Sequence, residues 1–193
     1  MPQGDSIYKT PIGERQVMEL YDRALRNWPN ELEEFDVDTR YGKTHVVARG
    51  AESSPPLVLL HGSGSNAVIW LSDMETLSPR YRVYAIDILG EPGKSDPVRL
   101  PWEDESHVEW LDDVFAEMGI DRALFGGISL GGWLSAKYAV ARPEKVEGLA
   151  LICPSGICPV KPSFFLRMFF WSLFGKAGQE RIKRIIFNGA PPN

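Results

Sequence analysis

Residues 127–131, Gly-Ile-Ser-Leu-Gly, have the types and spacing that point most directly to chemistry. A short apolar run at 123–125 precedes them, and apolar residues at helical spacing follow them. Gly-x-Ser-x-Gly between a strand and a helix is the sequence of a nucleophile elbow, which presents the serine hydroxyl above a sheet. Gly127 and Gly131 are needed because the turn is sharp and strained. The sequence therefore predicts Ser129 as a nucleophile.

A second interpretation of Ser129 stays open, because a serine at a strand–helix junction is often only an N-cap. A serine nucleophile also needs a base, usually His, and a carboxylate that orients the base. After an elbow the expected chain order is Ser, acid, His, yet three histidines precede Ser129: His45, His61 and His107. The acidic residues that follow it are Glu144, Glu147 and Glu180. Either the sequence stops short of a longer protein or it is not a working hydrolase.

The elements that must position this turn alternate along the chain. An amphipathic pattern predicts a first helix at about 14–28, ended by Pro29. Apolar runs predict strands at 32–37, 44–48, 57–60, 83–86, 123–125 and 146–153, and helical spacing predicts helices near 66–77, 108–118 and 130–142. This alternation indicates the α/β class, with a doubly wound, mostly parallel sheet covered by helices on both faces.

The composition and charge of the chain argue against several classes of partner and site. The 193 residues carry a formal net charge of −5 and no basic stripe, so we expect no nucleic-acid partner. The first residues lack the regions of a signal peptide and no stretch is long enough to span a bilayer, so we expect a cytoplasmic protein without stable membrane insertion. Cys153 and Cys158 are interpreted as reduced thiols; a metal pair is the alternative, although no Cys or His partner follows them. We expect no metal.

The character of the chain changes after Pro154. Residues 164–174 include six aromatic side chains in eleven positions. One interpretation is a buried helix, or one covered by further sequence; the other is a lid that lines an apolar pocket with Phe165 and Phe169. The two are compatible. The residues at 189–193 have the composition of a loop rather than of a finished terminus, which favours a longer protein.

Two further motifs accompany the elbow. His-Gly-Ser-Gly at 61–64 follows a predicted strand. Asp87 starts a second motif similar to Asp-x-x-Gly-x-Gly-x-Ser, with Glu91-Pro92 filling a gap before its later members, and the motif contains Gly90, Gly93 and Ser95. In this order the three motifs, spread over residues 32–156, resemble the α/β-hydrolase superfamily, specifically its serine carboxylesterase and lipase-like branch with a cap domain.

The resemblance implies roles for individual residues. Ser129 would be the catalytic nucleophile, and the backbone N–H groups of Ser63 and Leu130 would form the oxyanion hole. Loop support would come from His61, Gly62, Gly64, Asp87, Gly127 and Gly131. Residues 1–158 would be an incomplete α/β-hydrolase core, and residues 159–193 would begin a helical cap or lid.

Two titratable residues, His61 and Asp87, also have conceivable catalytic roles. His61 is a conceivable base, but the resemblance implies that it braces the oxyanion loop. Asp87 is a conceivable acid, but the resemblance implies that it holds its own loop. We expect His107 to be a solvated or partly buried helix residue, and His45 to lie in an early strand away from the elbow.

The expected function is that of a serine hydrolase cleaving a small-molecule, lipophilic ester through an acyl-enzyme on Ser129, without a cofactor. The acid and His would lie beyond residue 193, so residues 1–193 alone are predicted to be nearly inactive. The alternatives are a non-catalytic binding or regulatory module of the same fold, or another triad chemistry such as cofactor-free peroxidation or carbon–carbon hydrolysis. The natural substrate and oligomeric state stay open.

Overall fold

A computed structural model describes residues 7–29, 31–157 and 162–186 of the chain. The chain divides into two compact units, Met1–Ser155 and Gly156–Asn193. The loop predicted at 189–193 lies outside the described residues, as does Cys158. The boundary predicted after residue 158 and the interpretation of the second unit as a cap stay predictions.

The first unit is built on a six-stranded sheet. Its strands are β1 (Glu33–Thr39), β2 (Gly42–Arg49), β3 (Pro56–Leu60), β4 (Arg82–Ile86), β5 (Ala123–Ile128) and β6 (Val146–Ile152), in the spatial order β1-β2-β4-β3-β5-β6. β4, β3, β5 and β6 are parallel neighbours, whereas β1 and β2 form an antiparallel hairpin and β2 runs antiparallel to β4. The predicted mostly parallel sheet is confirmed.

Helices cover both faces of this sheet. They are α1 (Pro11–Arg26), α2 (Leu71–Leu77), α3 (Ser106–Glu117) and α4 (Leu130–Ala141). Neighbouring strand residues point to opposite faces, so Val46 joins the core under α3 and α4 while Val47 joins the core under α1 and α2. In the same way Val58 lies in the first core and Leu57 in the second. The apolar runs of β2 and β3 are therefore buried on both faces of the sheet.

The first helix begins and ends earlier than predicted. It starts at Pro11 rather than near residue 14, because the Thr10 side chain caps it by accepting a hydrogen bond of 3.0 Å from the Gly13 N–H. It ends at Arg26, before Pro29 is reached. The predicted helix at 66–77 is also shorter, since Ala67–Trp70 form a 3₁₀ turn that leads into α2.

β6 forms one edge of the sheet. Its Leu149, Leu151 and Ile152 side chains are 42%, 36% and 46% exposed. Apolar side chains at this level of exposure are unusual beside a strand edge, because such an edge pairs readily with another chain.

The second unit contains two helices, α5 (Pro162–Ser172) and α6 (Gly175–Ile186). The Gly178 N–H of α6 bonds to the Phe174 carbonyl, and a Cβ on Gly178 would stand only 1.8 Å from the Trp171 carbonyl oxygen. Phe169 on α5 is 64% exposed, and the side chain of Phe165 lies outside the described residues.

Candidate active site

Ser129 occupies a strained turn between β5 and α4. Its φ is 51° and its ψ is −108°, in the region that side-chain-bearing residues rarely adopt. Main-chain hydrogen bonds hold it there: its N–H donates to the Ile152 carbonyl and its own carbonyl accepts from the Trp133 N–H, both at 3.0 Å. The sheet and the helix thus over-determine a conformation that costs about 1–3 kcal/mol in isolation.

The glycines on either side of Ser129 are required by close backbone packing. A Cβ on Gly127 would stand 2.4 Å from the Gly131 carbonyl oxygen. A Cβ on Gly131 would stand 2.1 Å from the Leu60 carbonyl oxygen, at the end of β3. The Gly131 N–H also donates to the His61 carbonyl at 3.0 Å. The start of α4 is therefore pressed directly against the loop that follows β3.

The hydroxyl of Ser129 does not cap α4. Ser129 stands at the N-cap position, but its side chain makes no capping hydrogen bond. Its Oγ instead lies 3.1 Å from the Oγ of Ser155, whose N–H donates to the Ser129 carbonyl at 3.0 Å. Sequence reasoning missed Ser155, because its place beside the elbow depends on the pairing of β6 with β5, which the sequence does not show.

His61 is buried at the start of the loop 61–64, which we call the oxyanion loop. The Ile88 N–H donates to its Nε2 at 2.9 Å, so Nδ1 carries the proton and donates to the Gly62 carbonyl at 2.8 Å. Burial lowers the pKa of this imidazole, which favours the neutral ring. Both ring nitrogens are engaged, Nδ1 with the loop itself and Nε2 with Ile88 outside it, and this arrangement suits a brace rather than a base.

Asp87 is a second buried anchor, only 1% exposed. One carboxylate oxygen accepts from the Ala67 N–H at 2.7 Å and the other from the Lys94 N–H at 2.8 Å. The Asp87 carbonyl accepts from the Ser95 hydroxyl at 2.6 Å. A Cβ on Gly93 would stand 2.5 Å from this carboxylate, which is why a glycine is found there. Asp87 therefore organises its own loop and is occupied by backbone donors.

The oxyanion loop lies against the nucleophile. A Cβ on Gly62 would stand 3.5 Å from the Cβ of Ser129, and Gly64 adopts a φ of 71°. Within the described ranges, neither the Ser63 N–H nor the Leu130 N–H donates a hydrogen bond to another protein group. Leu130 begins α4, where the helix dipole favours negative charge. In such an arrangement a serine hydroxyl can attack a carbonyl carbon, and N–H groups without a protein acceptor can donate to the resulting oxyanion.

The other two histidines lie in structural environments. His45 on β2 is buried with its Nδ1 2.7 Å from the Asp36 carboxylate. His107 on α3 is also buried and stacks on Trp102 with ring centroids 4.8 Å apart, so the expectation of a solvated or partly buried residue was wrong. Burial, together with the charge of Lys137, lowers the pKa of His107 to about 4. Among the described residues, no histidine hydrogen-bonds to the Ser129 hydroxyl.

Within residues 7–29, 31–157 and 162–186, no group of three or more His, Cys, Asp or Glu side chains is arranged to hold a metal ion. No helix within those ranges has both the length and the apolar character needed to cross a membrane.

Comparison with known proteins places this geometry in a family. A family profile described as the alpha/beta hydrolase fold matches residues 55–193, which include the oxyanion loop, the Asp87 loop and the elbow. This chain belongs to the α/β-hydrolase fold family. The α/β hydrolase is similar to two curated carboxylesterases of Bacillus subtilis (strain 168): carboxylesterase YbfK at 38% identity and an uncharacterized carboxylesterase at 37%. Each match spans 137 residues, covering 71% of this chain and 46% of the relative.

Solved structures give the same result for the fold. Naproxen esterase (carboxylesterase NP) from Bacillus subtilis superposes with a TM-score of 0.79 at 32% identity, covering 91% of this chain and 61% of that chain. Carboxylesterase CesB (YbfK) from the same organism superposes with a TM-score of 0.76 at 33% identity, covering 88% and 59%. The α/β hydrolase chain thus spans about half the length of its curated relatives and about three fifths of these structures.

Proposed function

We propose that the protein is a serine carboxylesterase that cleaves a lipophilic, small-molecule ester through an acyl-enzyme on Ser129. The observation that carries this proposal is the strained φ of Ser129, which holds an uncapped hydroxyl against the oxyanion loop. A binding module has no reason to maintain such strain. The similarity to carboxylesterases supports the same reaction class.

The reaction follows from this geometry. The Ser129 oxygen attacks the ester carbonyl carbon while its proton passes to a base, and the carbonyl oxygen becomes the oxyanion. The N–H groups of Ser63 and Leu130 donate to that oxyanion. Collapse of the tetrahedral intermediate expels the alcohol, which takes the proton back from the base, and leaves an ester on Ser129. Water then attacks this acyl-enzyme by the same route and releases the acid. Losing one oxyanion donor typically costs about 10²–10³ in rate.

The base and the acid that orients it are proposed to lie in sequence beyond residue 193. Three observations support this: His61 is engaged on both ring nitrogens, His45 pairs with an aspartate, and His107 is buried against Trp102. The curated relatives are about twice as long as the matched region, which leaves room for both groups. Removing the base of a comparable triad costs on the order of 10⁶ in kcat. Residues 1–193 alone should therefore hydrolyse esters close to the background rate.

We propose that the second unit is the beginning of a helical cap. The aromatic side chains of α5 suit an apolar acyl or alcohol group, and Phe169 and Phe165 are the proposed substrate-lining residues. The Phe169 side chain is 64% exposed. A lipophilic ester is the substrate class that such a surface favours.

The test is intact mass before and after treatment with a fluorophosphonate, for residues 1–193 and for the protein from its full reading frame. Ser129→Ala serves as the control in both. The expected result is one adduct on the longer protein, lost in the control, and none on residues 1–193. A longer protein that takes up no adduct at Ser129 would support the non-catalytic module instead. Adduct formation on residues 1–193 would show that the base lies within this chain.

A further inference from the structure

Glu91 projects from a rigid turn next to the oxyanion loop. The Ile88 carbonyl accepts a hydrogen bond of 3.1 Å from the Glu91 N–H, and Gly90 between them has a φ of 74°. Such a hydrogen bond with a left-handed third residue is typical of a type II turn. A Cβ on Gly90 would stand 2.8 Å from Arg99 Cγ and 2.9 Å from the Val98 carbonyl oxygen. The position of Glu91 is therefore set by the main chain.

The carboxylate of Glu91 contacts two consecutive residues of the oxyanion loop. It accepts from the Gly64 N–H at 2.5 Å, and its two oxygens lie 3.2 and 3.3 Å from the Ser63 hydroxyl, which donates to it. Hydrogen bonds to an ionised acceptor are about twice as strong as those between neutral groups. Glu91 is one of the two residues that interrupt the Asp87 motif in the sequence.

The same turn therefore holds the oxyanion loop at two points. The Ile88 N–H binds His61 at the start of the loop, and the Glu91 carboxylate binds its last two residues. We propose that Glu91 is a positioning residue that keeps the Ser63 N–H aimed at the oxyanion formed on Ser129. This role rests on the proposed esterase function.

The loop needs such a restraint for a physical reason. Ser63 and Gly64 are exposed, and Gly64 has a left-handed backbone conformation. Without a restraint, a glycine can adopt many other backbone conformations. Glu91 holds the peptide group between Ser63 and Gly64 by accepting from the Gly64 N–H. This restraint also limits rotation of the preceding peptide group, which carries the Ser63 N–H. An oxyanion donor is effective only when its direction is set before the charge develops. Glu91 acts on the transition state without touching the substrate.

The test compares Glu91→Ala with Glu91→Gln in the protein from its full reading frame. The readouts are kcat and KM for a p-nitrophenyl ester and the rate of fluorophosphonate labelling. Glu91→Ala is expected to lower kcat about 10–100-fold with KM changed less than about threefold, because only transition-state stabilisation is lost. Glu91→Gln is expected to stay within about threefold of the parent, since its amide oxygen still accepts from the Gly64 N–H. Glu103→Ala, at an exposed acidic position, is the matched control.

A second readout does not depend on activity. Amide hydrogen exchange at Gly64 is expected to be at least about tenfold faster in Glu91→Ala than in the parent or in Glu91→Gln, because its hydrogen-bond acceptor is gone. An unchanged kcat in Glu91→Ala, or an equal loss in Glu91→Gln, would overturn the positioning role. If the parent protein is not labelled at Ser129, the esterase function fails first. If Glu91→Ala does not fold, Glu91→Leu, which also lacks an acceptor for the Gly64 N–H, takes its place in both readouts with the same expected results.

Discussion

Gly131→Ala is the substitution whose effect follows most directly from the structure. Its new Cβ would stand 2.1 Å from the Leu60 carbonyl oxygen, 2.4 Å from the Leu60 carbonyl carbon and 2.7 Å from the His61 carbonyl oxygen. All three are main-chain atoms, so no side chain can rotate to make room. Relief requires α4 and the end of β3 to separate by about 1 Å, and overpacking of this kind costs about 1–3 kcal/mol of unfolding free energy.

The same separation changes the site. The oxyanion loop begins at His61, whose carbonyl accepts from the Gly131 N–H, so the movement carries the loop away from Ser129. A displacement of about 1 Å in a reacting geometry costs about 10² in rate. In the protein from its full reading frame, we therefore expect Gly131→Ala to lower the rate of fluorophosphonate labelling at Ser129 about 100-fold, in addition to its loss of stability.

Gly119→Ala is the matched control. Gly119, which follows α3, has a φ of 64°, and a Cβ there would have no atom within 4 Å. It adds backbone strain of about 1 kcal/mol without a clash. Urea denaturation should show both variants destabilised, while the labelling rate should fall only in Gly131→Ala. Equal labelling rates for the two variants would refute the argument that backbone contact positions the loop.

Three further predictions concern single side chains. Asp87→Ala leaves two backbone N–H groups without their charged acceptor and should lower the unfolding free energy by about 3 kcal/mol in urea denaturation, together with the labelling of Ser129. His107, with a pKa of about 4 when folded against about 6.5 when unfolded, takes up its proton first in the unfolded chain. The free energy of unfolding should therefore fall by up to about 3 kcal/mol from pH 6.5 to pH 4. His107→Phe should remove this part of the pH dependence, and an unchanged pH dependence would contradict the lowered pKa of His107. Thr10→Ala should cost about 1 kcal/mol by removing the N-cap of α1, measured by thermal unfolding, with no change in labelling.

Much of the fold could be predicted because the relevant signals are local. Runs such as Leu57-Val58-Leu59-Leu60 are apolar at every position, as is typical of a short strand covered on both faces. Alternation of such runs with helical spacing then leaves few architectures. The start of α1 was wrong because Thr10 and Pro11 determine it through capping, which lies outside the apolar pattern. The order of the strands depends on pairings between residues far apart in the chain.

The candidate site divides in the same way. Ser129 could be predicted because its strained turn requires glycine at Gly127 and Gly131, which lie within two residues of it in the sequence. Ser155 and Glu91 could not, since each reaches the site from another loop, 26 and 28 residues away from its partner in the sequence. His107 was expected nearer to solvent because its place on α3 says nothing of Trp102, which covers its ring.

The dominance of main-chain contacts around Ser129 has a consequence for mutational mapping. An alanine scan would leave the N–H groups of Ser63 and Leu130 in place, so it would not report the contribution of the two amides that are proposed to stabilise the oxyanion. The glycines, which such a scan treats as nearly neutral, would give its largest effects, since Gly127 and Gly131 have no room for a methyl group. Scanning this region for function therefore calls for backbone replacements, such as an ester in place of a single amide.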